Sequence, residues 1–210
     1  MTLHSDTSLI ALGAGSNLAL DGESDLPASS DHSDDRVRAL EAGRRALDDP
    51  EAGRRVLACS SLHDNDPVDV PGEQPPYLNA CILVEEPGSA SELLAACREI
   101  ERRAGRRSKG DRAPRPLDLD LLCCWTADGR PWDPLEEPGL VLPHPRLGQR
   151  RFVLQPLAEL VPDRAIAGLP GSVAELLAAL PAEPALRPGP VSPCFPWRAE
   201  DRESAVDLAD

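Results

Sequence analysis

Residues 98–120 constrain the fold and the chemistry of this chain more than any other stretch. They hold seven arginines and the only lysine, Lys109, in a chain whose formal net charge is −14. The stretch ends in the alternating sequence L-D-L-D, with aspartates at positions 118 and 120. Because successive side chains of a strand point to opposite faces, this alternation predicts a strand that buries its leucines and presents Asp118 and Asp120 together.

The spacing of the two aspartates suits a divalent cation. Their side chains would lie about 6.5–7 Å apart along the strand, and two carboxylates on one face repel each other unless a cation lies beside them. Mg²⁺ takes one or two protein carboxylates and completes its shell with phosphate oxygens and water. The spacing alone leaves two interpretations open, a magnesium site and the solvated polar face of a half-exposed strand.

Arginines immediately before this strand favour the magnesium interpretation. A guanidinium group binds phosphate bidentately, and phosphoryl transfer depends on neutralising phosphate charge with metal ions and arginines. For some of these arginines the alternative is a charge-balanced helix end with exposed side chains. We therefore predict that the stretch binds a nucleotide together with Mg²⁺. The arginines of the predicted loop are Arg106, Arg107, Arg112 and Arg115.

Length, charge and cysteine content limit the class of protein. At 210 residues the chain is expected to form one domain with tails, and its charge argues against nonspecific binding to nucleic acid. No apolar run approaches about 18 residues, and the start lacks a basic-then-apolar signal, so we expect a cytoplasmic protein without a membrane anchor. None of the six cysteines forms C-x-x-C, which predicts small buried thiols. We expect a monomer acting on small molecules.

The order of the predicted elements favours an α+β fold. The chain alternates in the order strand, helix, strand, strand, helix, strand, which is typical of a ferredoxin-like sandwich with helices packed on a mainly antiparallel sheet. On the strand at 77–85, alternation places Asn79 and Cys81 on one face and Ile82 on the other. The predicted strands are 8–13, 55–63, 77–85, 116–124 and 140–142, the predicted helices are 34–47, 89–105, 149–161 and 171–180, the predicted turn is 13–17, and the predicted loop is 64–76.

Four motifs occur in order between residues 8 and 165. They are G-S-N at 15–17, Q-P-P-Y-L-N at 74–79, E…G-R…R-A-P-R-P-L-D-L-D across 101–120, and L-P-H-P-R with R-R-F-V-L-Q-P-L across 142–157. Together they resemble the motifs of the 6-hydroxymethyl-7,8-dihydropterin pyrophosphokinase family of folate biosynthesis. The resemblance implies an enzyme that transfers the diphosphoryl group of its co-substrate ATP to 6-hydroxymethyl-7,8-dihydropterin and releases AMP, with Mg²⁺ as cofactor.

The resemblance also implies roles for individual residues. Asn79 would hydrogen-bond the pterin ring and Phe152 would stack on it, which agrees with an asparagine that needs partners inside a strand. Asp118 and Asp120 would hold two Mg²⁺ ions, and Arg106 and Arg115 would be the catalytic cations on the phosphates. The other ATP-side residues would be Glu101, Arg98, Arg112, Leu121, His144 and Arg150, and the other pterin-side residues Gly15, Asn65 and Tyr77.

Two departures from the family pattern fall on the pterin side. Ala113 stands where the family has a tryptophan before G-P-R, and the loop there is shorter. The sequence H-D-N-D-P at 63–67 stands where the family has Y-x-T-x-P. Both departures predict weaker or altered pterin recognition. Two alternatives therefore stay open, a Mg-ATP-dependent kinase acting on a different small acceptor and a catalytically weak nucleotide-binding or interaction protein.

The same comparison of motifs suggests how the chain is divided. The motifs predict a catalytic domain at 1–165, and the polar, acidic segment 21–35 is expected to be a flexible inserted loop. A short helix is expected within 166–180. The Pro-rich, acidic tail at 181–210 is expected to be extended or disordered, with Phe195 and Trp197 docked on the domain.

Overall fold

The structure, a computed structural model, describes residues 7–20, 24, 26, 33–67, 73–106, 113–182 and 185–198. Its strands are β1 (Ser8–Ser16), β2 (Arg55–Cys59), β3 (His63–Asn65), β4 (Tyr77–Glu86), β5 (Asp118–Thr126), β6 (Leu135–Glu137), β7 (Leu140–Leu142), β8 (Arg187–Pro188) and β9 (Trp197–Arg198). Its helices are α1 (Asp35–Leu47), α2 (Ala90–Arg103), α3 (Arg151–Leu160) and α4 (Val173–Ala179). Among these described helices, none is both long enough and apolar enough to cross a bilayer.

One antiparallel sheet organises the described residues. Its strands follow the order β5-β1-β4-β2-β9, and β3 extends the sheet beside the first residues of β4. β1 is an inner strand and pairs with β4 on one side and β5 on the other. With α1 between β1 and β2 and α2 between β4 and β5, this is the predicted ferredoxin-like arrangement, and the predicted fold class is confirmed.

Helices cover both faces of the sheet. α1 and α2 pack on one face, where Leu40 and Leu93 share a buried cluster with Ile82 of β4. α3 and α4 pack on the other face, where Leu154 shares a second buried cluster with Cys81 of β4. The alternation predicted for Cys81 and Ile82 is therefore confirmed, and β4 is buried over most of its length.

Local signals set the ends of the helices. Ser89 and Glu92 form the predicted capping box at the start of α2, and Gly105 follows the end of this helix with φ +91°. A positive φ of this size strains any residue that has a Cβ, so glycine suits the position where α2 stops. Pro156 lies inside α3 without ending it. The turn at Gly105 sends the chain back from α2 toward β5.

The turn predicted at 13–17 is wrong, because β1 continues through Gly13 and Gly15 to Ser16. Strands β4 and β5 supply ladder partners on both sides of this segment. Pairing with neighbouring strands outweighs the weak strand preference of glycine. The extension matters because it places Gly15 inside the sheet rather than in a surface turn.

The loop predicted from residue 64 is also wrong at its start. The predicted strand 55–63 ends at Cys59, and a separate strand, β3, covers His63–Asn65. β4 flanks β3 on one side and β8, from the C-terminal tail, flanks it on the other. The prediction missed β3 because one of its two partners lies more than a hundred residues further along the chain.

The described part of the C-terminal tail belongs to the folded domain. β8 and β9 extend the sheet, and the side chain of Phe195 is only 1% exposed. Trp197 packs against the same buried cluster as α1 and α2. The rest of the tail, residues 199–210, and most of the predicted insert at 21–35 lie outside the described residues.

All six cysteines fall within the described residues, and each is a buried free thiol. Burial raises the pKa of Cys124 to about 12, so this thiol is neutral and unreactive at neutral pH. Cys123 and Cys124 belong to the two different buried clusters, as expected for neighbours on a strand. The prediction of small buried thiols is confirmed.

Candidate active site

Three residues on neighbouring strands form a row across one face of the sheet. Gly15 of β1 is paired with Asn79 of β4 and with Asp118 of β5. Residues directly opposite each other on paired strands share a face, and neighbouring strands lie about 4.8 Å apart. Asn79 and Asp118 are therefore separated by roughly 10 Å across Gly15. The Asn79–Gly15–Asp118 row brings an amide and a carboxylate onto one surface.

The missing side chain of Gly15 keeps the middle of this row open. A Cβ at position 15 would lie 3.2 Å from Oδ1 of Asn79 and 3.9 Å from Cβ of Asp118. Oδ1 of Asn79 is thus directed toward the space above Gly15. Glycine allows another group to approach the backbone of β1 closely, between the amide and the carboxylate.

Asp118 contacts two arginine side chains. Its Oδ1 accepts a hydrogen bond from Nη1 of Arg106 and a longer one, of 3.4 Å, from Nη1 of Arg115. Only 6% of the Arg106 side chain is exposed, whereas Asp118 keeps 21%. Burial lowers the pKa of Arg115, but Asp118, Tyr77 and Asp120 raise it, and the net pKa lies above its usual value. Both arginines therefore carry a permanent charge beside the row.

The carboxylate of Glu101 joins this cluster to the end of α2. Its Oε1 accepts hydrogen bonds from the backbone N–H of Leu119 at 2.8 Å and from Nη1 of Arg106 at 2.7 Å. The backbone N–H of Arg106 also donates to the backbone oxygen of Glu101 at 3.0 Å. Glu101 is only 2% exposed. It therefore fixes Arg106 and the edge strand β5 from inside the protein.

His144 lies beside β5, the strand that carries Asp120. The backbone N–H of His144 donates a hydrogen bond to the backbone oxygen of Leu122 at 2.7 Å. This bond holds the L-P-H-P segment against β5. Burial lowers the pKa of His144, Asp120 raises it, and Arg150 and Arg146 lower it further. The net shift is downward, so the imidazole is neutral at neutral pH.

Arg150 and Phe152 stand at the start of α3. The guanidinium carbon of Arg150 lies 5.3 Å from the centroid of the Phe152 ring, so the cation covers one ring face. Arg150 also lowers the pKa of His144, which places it in the same electrostatic cluster. The structure thus brings the fourth sequence motif to the carboxylates of the third.

The predicted pterin-side residues meet where β3 pairs with β4. Nδ2 of Asn79 donates a hydrogen bond to Oδ1 of Asn65, and Nδ2 of Asn65 donates to the backbone oxygen of Asp66 at 2.8 Å. Asn65 is paired in register with Tyr77, whose hydroxyl donates to Oε1 of Gln74 at 3.3 Å. Two amides and one phenol are therefore arranged along one edge of the row.

Within the described part of the chain, two predicted ATP-side residues stand apart from this cluster. The side chain of Leu121 packs in the core with 4% exposure, which leaves only its backbone for contact with a nucleotide. Arg98 lies on α2 and donates to the backbone oxygen of Gly139 at 3.3 Å, next to the β6–β7 hairpin. Arg112 lies outside the described residues.

A family model described as 7,8-dihydro-6-hydroxymethylpterin-pyrophosphokinase (HPPK) matches residues 11–162. The chain belongs to the HPPK family. The matched residues include the whole Asn79–Gly15–Asp118 row as well as Glu101 and Phe152. The family resemblance noted in the sequence motifs is thus confirmed.

Individual relatives agree with the family match. The chain is 39% identical over 112 residues to the 2-amino-4-hydroxy-6-hydroxymethyldihydropteridine pyrophosphokinase of Synechocystis sp., and this alignment covers 53% of each protein. It is 37% identical over 131 residues to the protein of the same name from Pseudomonas aeruginosa, covering 61% of this chain and 75% of that relative. The chain spans about half the length of the Synechocystis relative.

A solved structure shares the HPPK fold at low sequence identity. A crystal structure of Plasmodium falciparum HPPK-DHPS with pteroate superimposes with a TM-score of 0.57 and 11% identity, covering 82% of this chain and 44% of that one. This structural similarity supports the ferredoxin-like fold of the chain.

The donors near the row suit the Mg²⁺ that the HPPK resemblance implies. Asp118 and Asp120 are half-buried carboxylates on one face of β5. Within the described ranges no group of three or more His, Cys, Asp or Glu side chains is gathered as a complete metal cage. Mg²⁺ needs only one or two protein carboxylates when phosphate oxygens and water fill its other positions. The donor set therefore fits a metal that arrives with a phosphate ligand.

Sequence reasoning missed the role of Asn17 in the HPPK site. Oδ1 of Asn17 accepts a hydrogen bond from the backbone N–H of Arg115 at 2.8 Å. The backbone N–H of Asn17 donates to the backbone oxygen of Arg115 at 3.2 Å. Asn17 is 2% exposed. The G-S-N motif marked this residue, but only the structure shows that it holds Arg115.

We predict that Asn17→Ala loosens Arg115, because the buried N–H of Arg115 loses its acceptor. Amide hydrogen exchange at Arg115 should become at least about 10-fold faster, and the free energy of unfolding should fall by about 1–3 kcal/mol. Asn17→Asp is the matched control, since it keeps the acceptor oxygen and should keep the protection. Unchanged exchange in Asn17→Ala would contradict this role.

Proposed function

We propose that this HPPK-family chain is a Mg²⁺-dependent enzyme that transfers the diphosphoryl group of ATP to 6-hydroxymethyl-7,8-dihydropterin in folate biosynthesis. The observation that carries the proposal is the Asn79–Gly15–Asp118 row, because it joins an amide pocket to a carboxylate–arginine cluster on one open surface. The names of the Synechocystis and Pseudomonas aeruginosa relatives support the same reaction.

The acceptor ring binds at the β3–β4 end of the row. Oδ1 of Asn79 accepts a hydrogen bond from the ring, and Asn65 and Tyr77 border it. Phe152 stacks on the flat heteroaromatic system, an arrangement that aromatic rings favour. In the present structure Arg150 covers a face of Phe152, so this guanidinium moves aside when the ring binds that face. The hydroxymethyl group then points across Gly15 toward Asp118.

Diphosphoryl transfer breaks one bond and forms one. The hydroxyl oxygen of the acceptor attacks the β-phosphorus of ATP, the bond from that phosphorus to the oxygen of the α-phosphate breaks, and AMP leaves with this oxygen. The hydroxyl proton passes to solvent. Arg106 and Arg115 neutralise the charge that builds on the phosphates, and fixed cations in a partly buried site do this without reorganisation. Glu101 keeps Arg106 in position.

Asp118 and Asp120 hold the metal ions, and two ions are expected. When bound, Mg²⁺ supplies charge neutralisation and a fixed geometry for the phosphates. Asp118 contacts Arg106 and Arg115 in this structure, so a cation held by Asp118 would take the place of these partners. The two arginines then turn to the phosphate oxygens, which keeps opposite charges paired throughout.

The nucleotide occupies the side of the row beyond β5. His144 and Arg150 contact it there, and a neutral imidazole suits hydrogen bonding to phosphate or base. Arg98, Arg112 and the backbone of Leu121 complete this side. Residues 1–165 form the catalytic domain, and the match of the family model to residues 11–162 supports these bounds. Segment 166–180 and tail 181–210 follow it.

We further propose a monomer in the cytoplasm that binds neither nucleic acid nor membrane. The net charge of −14 supports the first exclusion, because binding to nucleic acid requires a basic face. The free thiols of all six cysteines support a reducing compartment.

A second candidate is a Mg-ATP-dependent kinase with a different small acceptor. Two observations favour it. Ala113 offers no aromatic cover where the family has tryptophan, and Asn65 is flanked in sequence by two charged residues, Asp64 and Asp66, which form ion pairs. This candidate keeps the carboxylates and arginines and changes only the acceptor pocket.

The products distinguish these functions. We predict that the protein, incubated with ATP, Mg²⁺ and 6-hydroxymethyl-7,8-dihydropterin, forms AMP and pterin diphosphate in equal amounts, measured by chromatography. ADP in place of AMP would indicate transfer of a single phosphoryl group and would overturn the proposal. Absence of turnover with preserved ATP binding would favour a catalytically weak nucleotide-binding protein.

The aspartate pair supplies a direct test of the metal site. We predict that Asp118→Ala and Asp120→Ala each lower kcat on the order of 10³-fold, because each removes a proposed Mg²⁺ ligand. Asp163→Ala is the matched control, since Asp163 is exposed in the turn after α3, and its rate should equal that of the wild type. Wild-type rates in either site variant would refute the metal assignment.

The strand asparagine tests the acceptor pocket. We predict that Asn79→Ala weakens binding of the pterin by roughly 10- to 100-fold, the usual effect of losing a buried hydrogen bond to a ligand. Binding of ATP should stay within about 2-fold, because the nucleotide lies on the other side of Gly15. Calorimetric titration with each ligand separately measures both effects. An unchanged affinity for the pterin would show that Asn79 is only structural.

A further inference from the structure

A C-terminal strap, residues 185–198, lies along the sheet, with β8 at the outer edge of β3 and β9 beside β2. Its strand β8 pairs with β3 in antiparallel register, Arg187 opposite Asp64, and the N–H of Gly189 donates to the backbone oxygen of Leu62 at 2.8 Å. The family model ends at residue 162, so the strap lies beyond the matched part of the chain. The strap is therefore a feature added to the part that carries the family motifs.

The strap approaches β3 too closely for any side chain at position 189. A Cβ on Gly189 would lie 2.7 Å from the backbone oxygen of Leu62 and 2.8 Å from its carbonyl carbon. Backbone atoms cannot move aside as a flexible side chain does, so alanine at this position would push the strap away from β3. Gly189 thus makes the close pairing possible.

Arg187 fixes the strap to both sides of Asn65. Its guanidinium donates a hydrogen bond to Oδ1 of Asp64 at 2.5 Å. It donates two further hydrogen bonds to Asp66, from Nη2 to Oδ1 at 2.9 Å and from Nη1 to Oδ2 at 3.2 Å. Hydrogen bonds to Asp66 and Asp64 raise the pKa of Arg187, so its charge is permanent. Planar guanidinium suits such paired contacts, and ammonium does not.

Asp66 is directly connected to the acceptor pocket. Its backbone oxygen accepts from Nδ2 of Asn65 at 2.8 Å, which leaves Oδ1 of Asn65 to accept from Nδ2 of Asn79. This orientation turns Oδ1 of Asn79 toward Gly15. Contacts therefore run without a break from Arg187 through Asp66 and Asn65 to Asn79.

The two aspartates depend on Arg187 to different degrees. Asp64 also accepts from Nη1 of Arg36 at 2.9 Å, so a second cation holds it from the opposite side. The Asp66 side chain is 74% exposed, and Arg187 is its ionic partner among the described residues. Without Arg187, Asp64 of β3 therefore keeps its contact with Arg36, whereas Asp66 loses its ionic partner.

We propose that the strap positions the acceptor pocket, and that Arg187 is a positioning residue that sets the orientation of Asn65 and, through it, of Asn79. This inference rests on the proposed function, because it assigns the strap to recognition of the flat heterocyclic acceptor. Arg187 does not touch the reacting atoms. It acts on acceptor affinity, and the carboxylate–arginine cluster on the ATP side works independently of it.

A double-mutant cycle on the full chain tests this role. Arg187→Ala and Asp66→Ala should each weaken binding of 6-hydroxymethyl-7,8-dihydropterin by about 5- to 20-fold, and the double variant should match Arg187→Ala, because that variant already lacks the Arg187–Asp66 ion pair. The affinity for ATP and kcat at saturating pterin should stay within about 2-fold. An exposed ion pair contributes little to global stability, so Tm should shift by less than about 4 °C.

A matched ion pair and a second variant complete the design. Asp128→Ala and Arg130→Ala form the control cycle, since Arg130 and Asp128 make an exposed pair at 2.7 Å in the turn after β5. These variants should bind the pterin as the wild type does. Gly189→Ala displaces the strap without removing a charge, and it should reproduce the affinity loss. Arg187→Lys keeps the charge but not the planar guanidinium group, so its affinity for the pterin should lie between those of Arg187→Ala and the wild type.

Hydrogen exchange on the same proteins separates this inference from the proposed function. Backbone amides of residues 62–66 should exchange at least about 10-fold faster in Arg187→Ala and Gly189→Ala, and at wild-type rates in Arg130→Ala. Unchanged pterin affinity in both strap variants would overturn the inference. A wild-type protein that does not bind the pterin would overturn the proposed function instead, and exchange would then decide alone whether the strap holds Asn65.

Discussion

The hydrogen bonds of the buried Glu101 carboxylate are the interactions on which the rest of the site depends. One oxygen accepts from the edge strand β5 and from Arg106, and Arg106 in turn contacts Asp118. Removing one partner of a buried ion pair leaves an uncompensated charge, which costs more than the pair itself contributes. Helix α2, strand β5 and the first arginine are therefore coupled. The turn at Gly105, after the end of α2, places Arg106 beside this carboxylate.

The candidate site also depends on a position without a side chain, Gly15, on an inner strand of the sheet. β1 is an inner strand of the sheet, paired on both sides, yet it carries glycine where the proposed acceptor and phosphate sides meet. A strand position without a side chain gives up packing and adds backbone entropy to the unfolded state. The sheet tolerates this because β4 and β5 fix the backbone of Gly15. The rigid scaffold and the open surface thus come from the same pairing.

The two sides of the row are held by different parts of the chain. On the proposed nucleotide side, Glu101, Arg106 and Asn17 all belong to the residues matched by the HPPK family model. On the acceptor side, β3 is an inner strand only because the strap covers its outer edge. An uncovered strand edge exposes unpaired backbone groups and moves more freely. The strap therefore pairs with a segment, 63–67, where this chain departs from the family pattern.

Local patterns in the sequence were sufficient for several elements. The alternation around Asp118 and Asp120, the capping box of α2 and the stop at Gly105 each depend on neighbouring residues alone, and each was predictable. Tertiary structure alone decided the length of β1, the existence of β3, the role of Asn17 and the pairing of β8 with β3. Each of these depends on hydrogen bonds to segments far away in the chain, and such partners override local propensity. The sequence by itself determined which chemical groups are available, and the pairing of distant strands decided which of them meet around Gly15.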